Sequence, residues 1–233
     1  MLVFDIETYK DTSDENYIAW KTAGVRVPSN YKDPVKIAEY VANEKADLVN
    51  KFGLSPLTGK IILIGVLTDN EATAVPSDAW SLFEPEDSKQ YWMRQLALPE
   101  HSEKEIISEF WDIVARNRMN DGEPMITYNG KQFDLPYLLH RSAILGIQPR
   151  FTLPMNKALS KYDNSTHLDL FNWFGSGSLV EWSYRLGLTN SLQRDGGEIG
   201  GWYEAGQIEL IKGKNAIDLF QCAEIYKRVR AWL

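Results

Sequence analysis

The segment "LVFDIE", residues 2–7, places two carboxylates, Asp5 and Glu7, among four apolar residues. Side chains alternate between the two faces of a strand, so both acids leave the same face. An ionised carboxylate is costly to bury unless a cation or a donor compensates it. Another acid, Asp134, stands in "TYNGKQFDLPYLLHR", after the turn residues Asn129 and Gly130 and at the start of a helical segment. A fourth, Asp218, stands in "NAIDLFQC", between Ile217 and Leu219, and on a helix it shares a face with Lys214 and Cys222. Singly, each has an ordinary explanation. Asp134 suits a helix N-cap, and Asp218 with Lys214 makes a surface pair. Together, clustered carboxylates repel and raise one another's pKa unless a cation neutralises them. Hard divalent ions with oxygen ligands, Mg2+ or Mn2+, answer that need. Two such ions about 4 Å apart can hold a phosphodiester, activate water and stabilise the leaving oxygen.

Elements that could position these acids follow from periodicity. "LVFDIE" is the first strand, and the polar stretch after it reads as irregular until Asp33 and Pro34 cap a helix that stops at Gly53. "GKIILIGVLTD" is a strong strand, with "EATAVP" as a partner across a weak turn. "SEKEIISEFWDIVARN" is a helix with a Ser102–Glu105 capping box, and Ile106, Phe110 and Val114 recur at helical spacing. "EPMITYN" is a strand, followed by the helices "LPYLLHRSAILG" and "SLVEWSYRLGL" with "THLDLFNWF" left open between them. "RDGGEIGGWYEAG" reads as a glycine-rich loop, and "NAIDLFQCAEIYKRVRAWL" as the last helix. Strands that come first and then alternate with helices predict a single α/β or α+β domain over residues 1–233 with a central mixed sheet, interrupted by a polar insertion at about 9–58.

Composition narrows the function classes. The formal net charge of −7, from 25 basic and 32 acidic residues, argues against broad non-specific duplex binding, which needs a basic surface. It leaves room for a nucleic acid held locally through metal ions. No apolar run is long enough to span a membrane, and no signal segment precedes the first strand. Cys222, the sole cysteine, has no internal partner, so a reducing cytosol is the expected compartment. The eight tryptophans read as core or groove-wall residues.

"FDIET", then "YNGKQFDLP", then a late Asp on a C-terminal helix resembles the DEDD (DnaQ-like) 3′–5′ exonucleases of the ribonuclease H-like fold, most closely the branch related to the proofreading domain of family-B DNA polymerases. The resemblance covers most of the chain. It implies an α/β fold with a central mixed sheet flanked by helices. It further implies Asp5, Glu7, Asp134 and Asp218 as catalytic metal ligands for two Mg2+ or Mn2+ ions, and substrate contacts from Thr8, Asn129 and Phe133. The family's Tyr-x-x-x-Asp helix fits best with Asp218 at the acid. The alternative register, Phe220 to Glu224, needs Phe for Tyr and Glu for Asp. With Asp218 chosen, Lys214 stands where the family has its catalytic tyrosine. A lysine among carboxylates is a poor base at neutral pH. It can instead donate a hydrogen bond to water or charge to a phosphate.

Lesser candidates carry plainer alternatives. His167 and Asp169 in "THLDLF" are either a further metal pair or structural neighbours of the site, the latter preferred. His140 and Arg141 either reach a phosphate or are solvated or satisfied in the core. "GGEIGG" lacks the lysine and threonine of a P-loop and reads as a flexible lip. Asn129 is a nucleotide contact or a turn residue. Phe133 is a core residue or a wedge between bases. The expectation is a stand-alone monomeric exonuclease on single-stranded DNA rather than RNA. It releases nucleoside 5′-monophosphates, carries no appended polymerase and resides in the cytoplasm, that of the host if the source is a virus. The rivals are an RNA-directed exonuclease of the same fold, an inactive nucleic-acid-binding or regulatory module, and a structure-specific endonuclease.

Overall fold

In the computed structural model, which describes residues 1–70, 81–83, 91–120, 123–149, 151–189 and 197–233, six strands pair into one sheet. They are β1 (Leu2–Lys10), β2 (Gly59–Thr68), β3 (Ser81–Phe83), β4 (Tyr91–Ala97), β5 (Met125–Thr127) and β6 (His167–Asp169), in the spatial order β3-β4-β2-β1-β5-β6. β1 lies parallel to β5, with Leu2 opposite Met125, and β5 lies parallel to β6. β2 and β3 each run antiparallel to β4. The sheet is therefore mixed, as expected.

The alternation of β1 decides where its acids go. Leu2, Phe4 and Ile6 enter a core with Ile106, Phe110, Trp111 and Val114 of α3 (Glu103–Asn120), and with Leu135 and Leu138 of α4 (Asp134–Ile144). Val3 faces the other way, into a second core with Leu219, Cys222, Ala223 and Ile225 of α9 (Ile208–Val229). Asp5 and Glu7 continue the face of Val3, the one that α9 covers. The Ser102–Glu105 capping box that opens α3 is formed, its Glu105 carboxylate accepting from Ser102 N at 2.7 Å.

Two compact units divide the chain. One comprises Met1–Glu7 and Ile61–Leu233, the other Thr8–Lys60. The second unit contains α1 (Glu15–Thr22) and α2 (Pro34–Asn50). α1 corrects the expectation of an irregular stretch: Asp14 accepts from Tyr17 N at 2.9 Å and caps it, with Glu15 in the first turn and Lys21 in the last. α2 starts as expected, on the Asp33 cap and Pro34, but ends at Asn50. Gly53 lies beyond it in a 3-10 turn, where a Cβ would approach the Tyr9 backbone to 3.2 Å.

Other segments differ from the sequence reading. The expected strand "EATAVP" lies outside the described residues. The open segment "THLDLFNWF" splits into β6 and α6 (Leu170–Phe174), because Asp169 ends the strand and caps the helix through Phe171 N. α5 (Met155–Ala158) and α7 (Leu179–Arg185) precede and follow that pair. The glycine-rich loop is in part a helix, α8 (Ile199–Glu204), anchored by buried Ile199, so the flexible lip is not seen over those residues.

β2 carries a glycine where α9 crosses it. A Cβ at Gly65 would lie 1.8 Å from Asn215 Oδ1 and 2.7 Å from Leu219 Cδ1. Gly65→Ala should therefore destabilise the fold by about 1–3 kcal/mol, measured by chemical denaturation. An unchanged midpoint would mean that α9 shifts without cost.

Candidate active site

α9 delivers its polar residues onto the carboxylates of β1. Asp5, Glu7 and Asp218 each offer an oxygen, and these oxygens lie within 4.8 Å of one another. Lys214, one turn before Asp218, stands between two of them. Its Nζ donates to Glu7 Oε1 at 2.8 Å and to Asp218 Oδ2 at 2.7 Å. Asn215, the next residue, donates from Nδ2 to Asp5 Oδ2 at 2.9 Å. The sequence spacing of 214, 215 and 218 thus becomes one helical turn that sets Lys214, Asn215 and Asp218 against the two strand acids. Glu224, the acid of the alternative register, is engaged elsewhere, by the Tyr91 hydroxyl and Lys227.

The electrostatics follow from crowding. Burial, then Glu7 and Asp134, push the Asp5 carboxyl well above the usual carboxylate range, against a smaller lowering by Lys214. Burial likewise raises Glu7, although Lys214 pulls it down. Burial works against the Lys214 charge, yet Glu7, Asp5 and Asp218 outweigh it and hold the ammonium above its ordinary range. One lysine thus leaves the acids under-compensated. The donor set fits a hard divalent cation: several carboxylates converge from two elements with no sulfur among them.

Asp134 is held differently. It is the first residue of α4, and Phe133, not Asp134, occupies the N-cap position. Asp134 Oδ1 accepts from Ile6 N at 3.1 Å, tying α4 to β1 between the two strand acids. Burial raises its carboxyl to about 7, although the Ile6 amide works against the shift. The folded-state value exceeds the unfolded one, so the folded chain keeps a proton that the unfolded chain releases. Without divalent ions, this group makes stability fall as pH rises from about 4 to about 7. Asp134→Asn retains the acceptor for Ile6 and removes that loss. In EDTA, its melting temperature should exceed wild type at about pH 8 and match it near pH 4. Equal melting at both would contradict the assignment.

The loop before Asp134 is built on Asp169. Its carboxylate accepts from Asn129 N at 2.7 Å, Lys131 N at 3.0 Å and Phe171 N at 3.0 Å. Asn129 takes φ 67°, the left-handed region that asparagine tolerates, which gives it the turn role. His167 is buried, bonded to Thr127 Oγ1 at 2.7 Å and to the Ala158 carbonyl at 3.1 Å, and burial lowers its pKa to about 3. His167 and Asp169 are therefore spent on structure, and the metal-pair alternative fails. Arg141 is buried and paired with Glu103, Nη2 to Oε2 at 2.5 Å, so it does not reach for a phosphate; His140 is exposed. Phe133 packs against the core, 5.4 Å from the Tyr137 ring. Thr8, the next residue of β1, belongs to the second unit. Sequence reasoning missed Asn215 and its neighbour Gln95. The available signal was spacing: Asn215, three residues before Asp218, shares its helix face.

The mixed sheet and its flanking helices define an α/β protein with a ribonuclease H-like fold. Residues 77–232 match the family described as "Predicted 3'-5' exonuclease related to the exonuclease domain of PolB", and the chain belongs to that family. It is 33% identical over 127 residues to a DNA polymerase of Pyrococcus glycovorans, covering 49% of this chain and 16% of that one. It is 32% identical over 91 residues to DNA polymerase 1 of Aeropyrum pernix, covering 38% of this chain and 10% of that one. The chain thus spans a small part of these relatives' length. The family B DNA polymerase of Pyrobaculum calidifontis superposes on 98% of this chain and 24% of its own, with a TM-score of 0.56 at 15% identity, a likeness of fold. Among the described residues, no helix is long and apolar enough to cross a membrane.

Proposed function

We propose that the protein is a metal-dependent exonuclease that shortens single-stranded DNA from its 3′ end and releases nucleoside 5′-monophosphates. The observation that carries this reading is the convergence of Asp5, Glu7 and Asp218, from β1 and α9, in a chain of the exonuclease-related family. Asp5, Glu7 and Asp218 would hold one Mg2+ or Mn2+, and Asp5, with Asp134 through water, a second. When bound, the ions supply the positive charge that holds the phosphate and readies water for attack.

The chain's own residues do the rest. Asp134 fixes α4 to β1 through Ile6. Lys214 is an ammonium and takes no proton; it donates to the attacking water or to a phosphate oxygen. Asn129 in its turn and Phe133 against the core are each only half-buried, and their exposed edges would contact the terminal nucleotide. Hydrolysis adds water across the P–O3′ bond. The shortened strand keeps a 3′-hydroxyl, and the released nucleotide carries the 5′-phosphate.

Digestion of 5′-labelled DNA and RNA oligonucleotides of one sequence tests the substrate. The expected result is a ladder shortening from the 3′ end, faster on DNA. Equal or faster digestion of RNA would replace DNA with RNA as the substrate, and cutting of circular DNA would reveal an endonuclease. A second reading has one observation in its favour. The ion pairs of Lys214 with Glu7 and Asp218 suit a binding module that has lost catalysis. A folded protein that binds no Mn2+ would establish it.

A further inference from the structure

Asn215 is fully buried, and its amide lies between two polar groups. Nδ2 donates to Asp5 Oδ2 at 2.9 Å, and Oδ1 accepts from Gln95 Nε2 at 3.2 Å. The same Gln95 nitrogen donates to the Lys212 carbonyl at 2.7 Å. A main-chain carbonyl only accepts, so Gln95 must turn its NH2 toward α9. Asn215 is then left to offer Gln95 its oxygen and Asp5 its NH2. The donor sense along Gln95–Asn215–Asp5 is fixed from the Lys212 carbonyl outward. β2 makes room for this arrangement by having Gly65 there, since a Cβ would fall 1.8 Å from Asn215 Oδ1. α9 thus puts the Asn215 amide against bare strand backbone, within reach of Asp5 on β1.

We propose that Asn215, supported by Gln95, is a positioning residue that holds the Asp5 carboxylate in the orientation from which it meets Glu7 and Asp218. This rests on reading those acids as a divalent-cation site. Asp5 is the acid shared by both ions in that reading, so its orientation matters to each. A donor on one edge of a ligating carboxylate orients it before the cation arrives, and loss of such an outer partner typically weakens metal affinity by about 10–100-fold. Gln95 acts one step further out, by deciding which end of the Asn215 amide faces Asp5.

Mn2+ binding by the full chain without nucleic acid, followed by the electron paramagnetic resonance signal of free Mn2+, tests this. Asn215→Leu has similar size and no polar atoms. Its Mn2+ dissociation constant should rise by about 10–100-fold. Gln95→Met leaves Asp5 and Asn215 in place, and its affinity should fall in the same direction by less. Near-UV circular dichroism identifies which variants are folded. A merely structural role would lower the melting temperature and leave the affinity of the folded protein unchanged. Wild-type affinity in both variants, with Mn2+ bound by wild type, overturns this proposal alone. A wild-type protein that binds no Mn2+ overturns the cation reading and this proposal with it.

Discussion

Asp218→Asn is expected to lower nuclease activity by at least about 100-fold, as loss of a direct metal ligand should cost no less than loss of an outer partner. The substitution removes charge at the point where α9 meets β1. It also takes one of the two ion-pair partners of Lys214, whose ammonium keeps its pair with Glu7. The control is Glu224→Gln, further along the same helix. Glu224 accepts from the Tyr91 hydroxyl and lies 3.6 Å from Lys227, away from the acid cluster. Activity should stay within about twofold of wild type there, as Glu224 is engaged by Tyr91 and Lys227 rather than by the acid cluster. Rates measured under identical Mg2+ decide the matter. Loss in Glu224→Gln with retention in Asp218→Asn would move the third acid to Glu224.

The other large effect concerns Lys214. Its ammonium occupies Glu7 Oε1 and Asp218 Oδ2, oxygens that a divalent ion would also use. Ion and ammonium therefore compete. Lys214→Ala should melt lower than wild type in EDTA, because Glu7 and Asp218 lose the ammonium that bonds them both. Mn2+ should then raise its melting temperature more than it raises that of wild type. Removing one nearby positive charge should tighten Mn2+ binding by roughly tenfold. The turnover rate should move the opposite way, falling by about 10–100-fold, if the ammonium serves the water or the phosphate once an ion has displaced it. Lys214→Tyr, which installs the residue that the family resemblance implies at this position, separates charge from positioning. Wild-type turnover in both variants would make Lys214 a bystander.

How much of this was legible in the sequence differs by residue. Asp5 and Glu7 were legible because a strand's two-residue period leaves no freedom: Leu2, Phe4 and Ile6 claim one core, so the acids take the other face. The α3 capping box and the α2 start were legible for a similar reason, since the cap is local to the sequence. α1 and α8 were not. Their signals were short and polar or glycine-interrupted, and Ile199 gains its burial only from the packed fold. β4 was missed because Arg94 and Gln95 break the apolar run that β2 shows plainly; it is defined by its pairing with β2. Asp134 illustrates the limit of local rules. Its position predicts a helix cap, yet its carboxylate accepts from Ile6, 128 residues away. Gly65 and Asn215 form a matched pair that only the helix-on-sheet contact reveals.

The most direct test of the central claim, that these acids hold divalent ions for cleavage at a 3′ end, is a single digestion series. Single-stranded DNA labelled at its 5′ end is incubated with the protein in Mg2+, in Mn2+ and in EDTA, beside Asp5→Asn. The predicted result is a ladder that shortens from the 3′ end with either metal and vanishes in EDTA and in the variant. A ladder that persists in EDTA, or in folded Asp5→Asn, would contradict it.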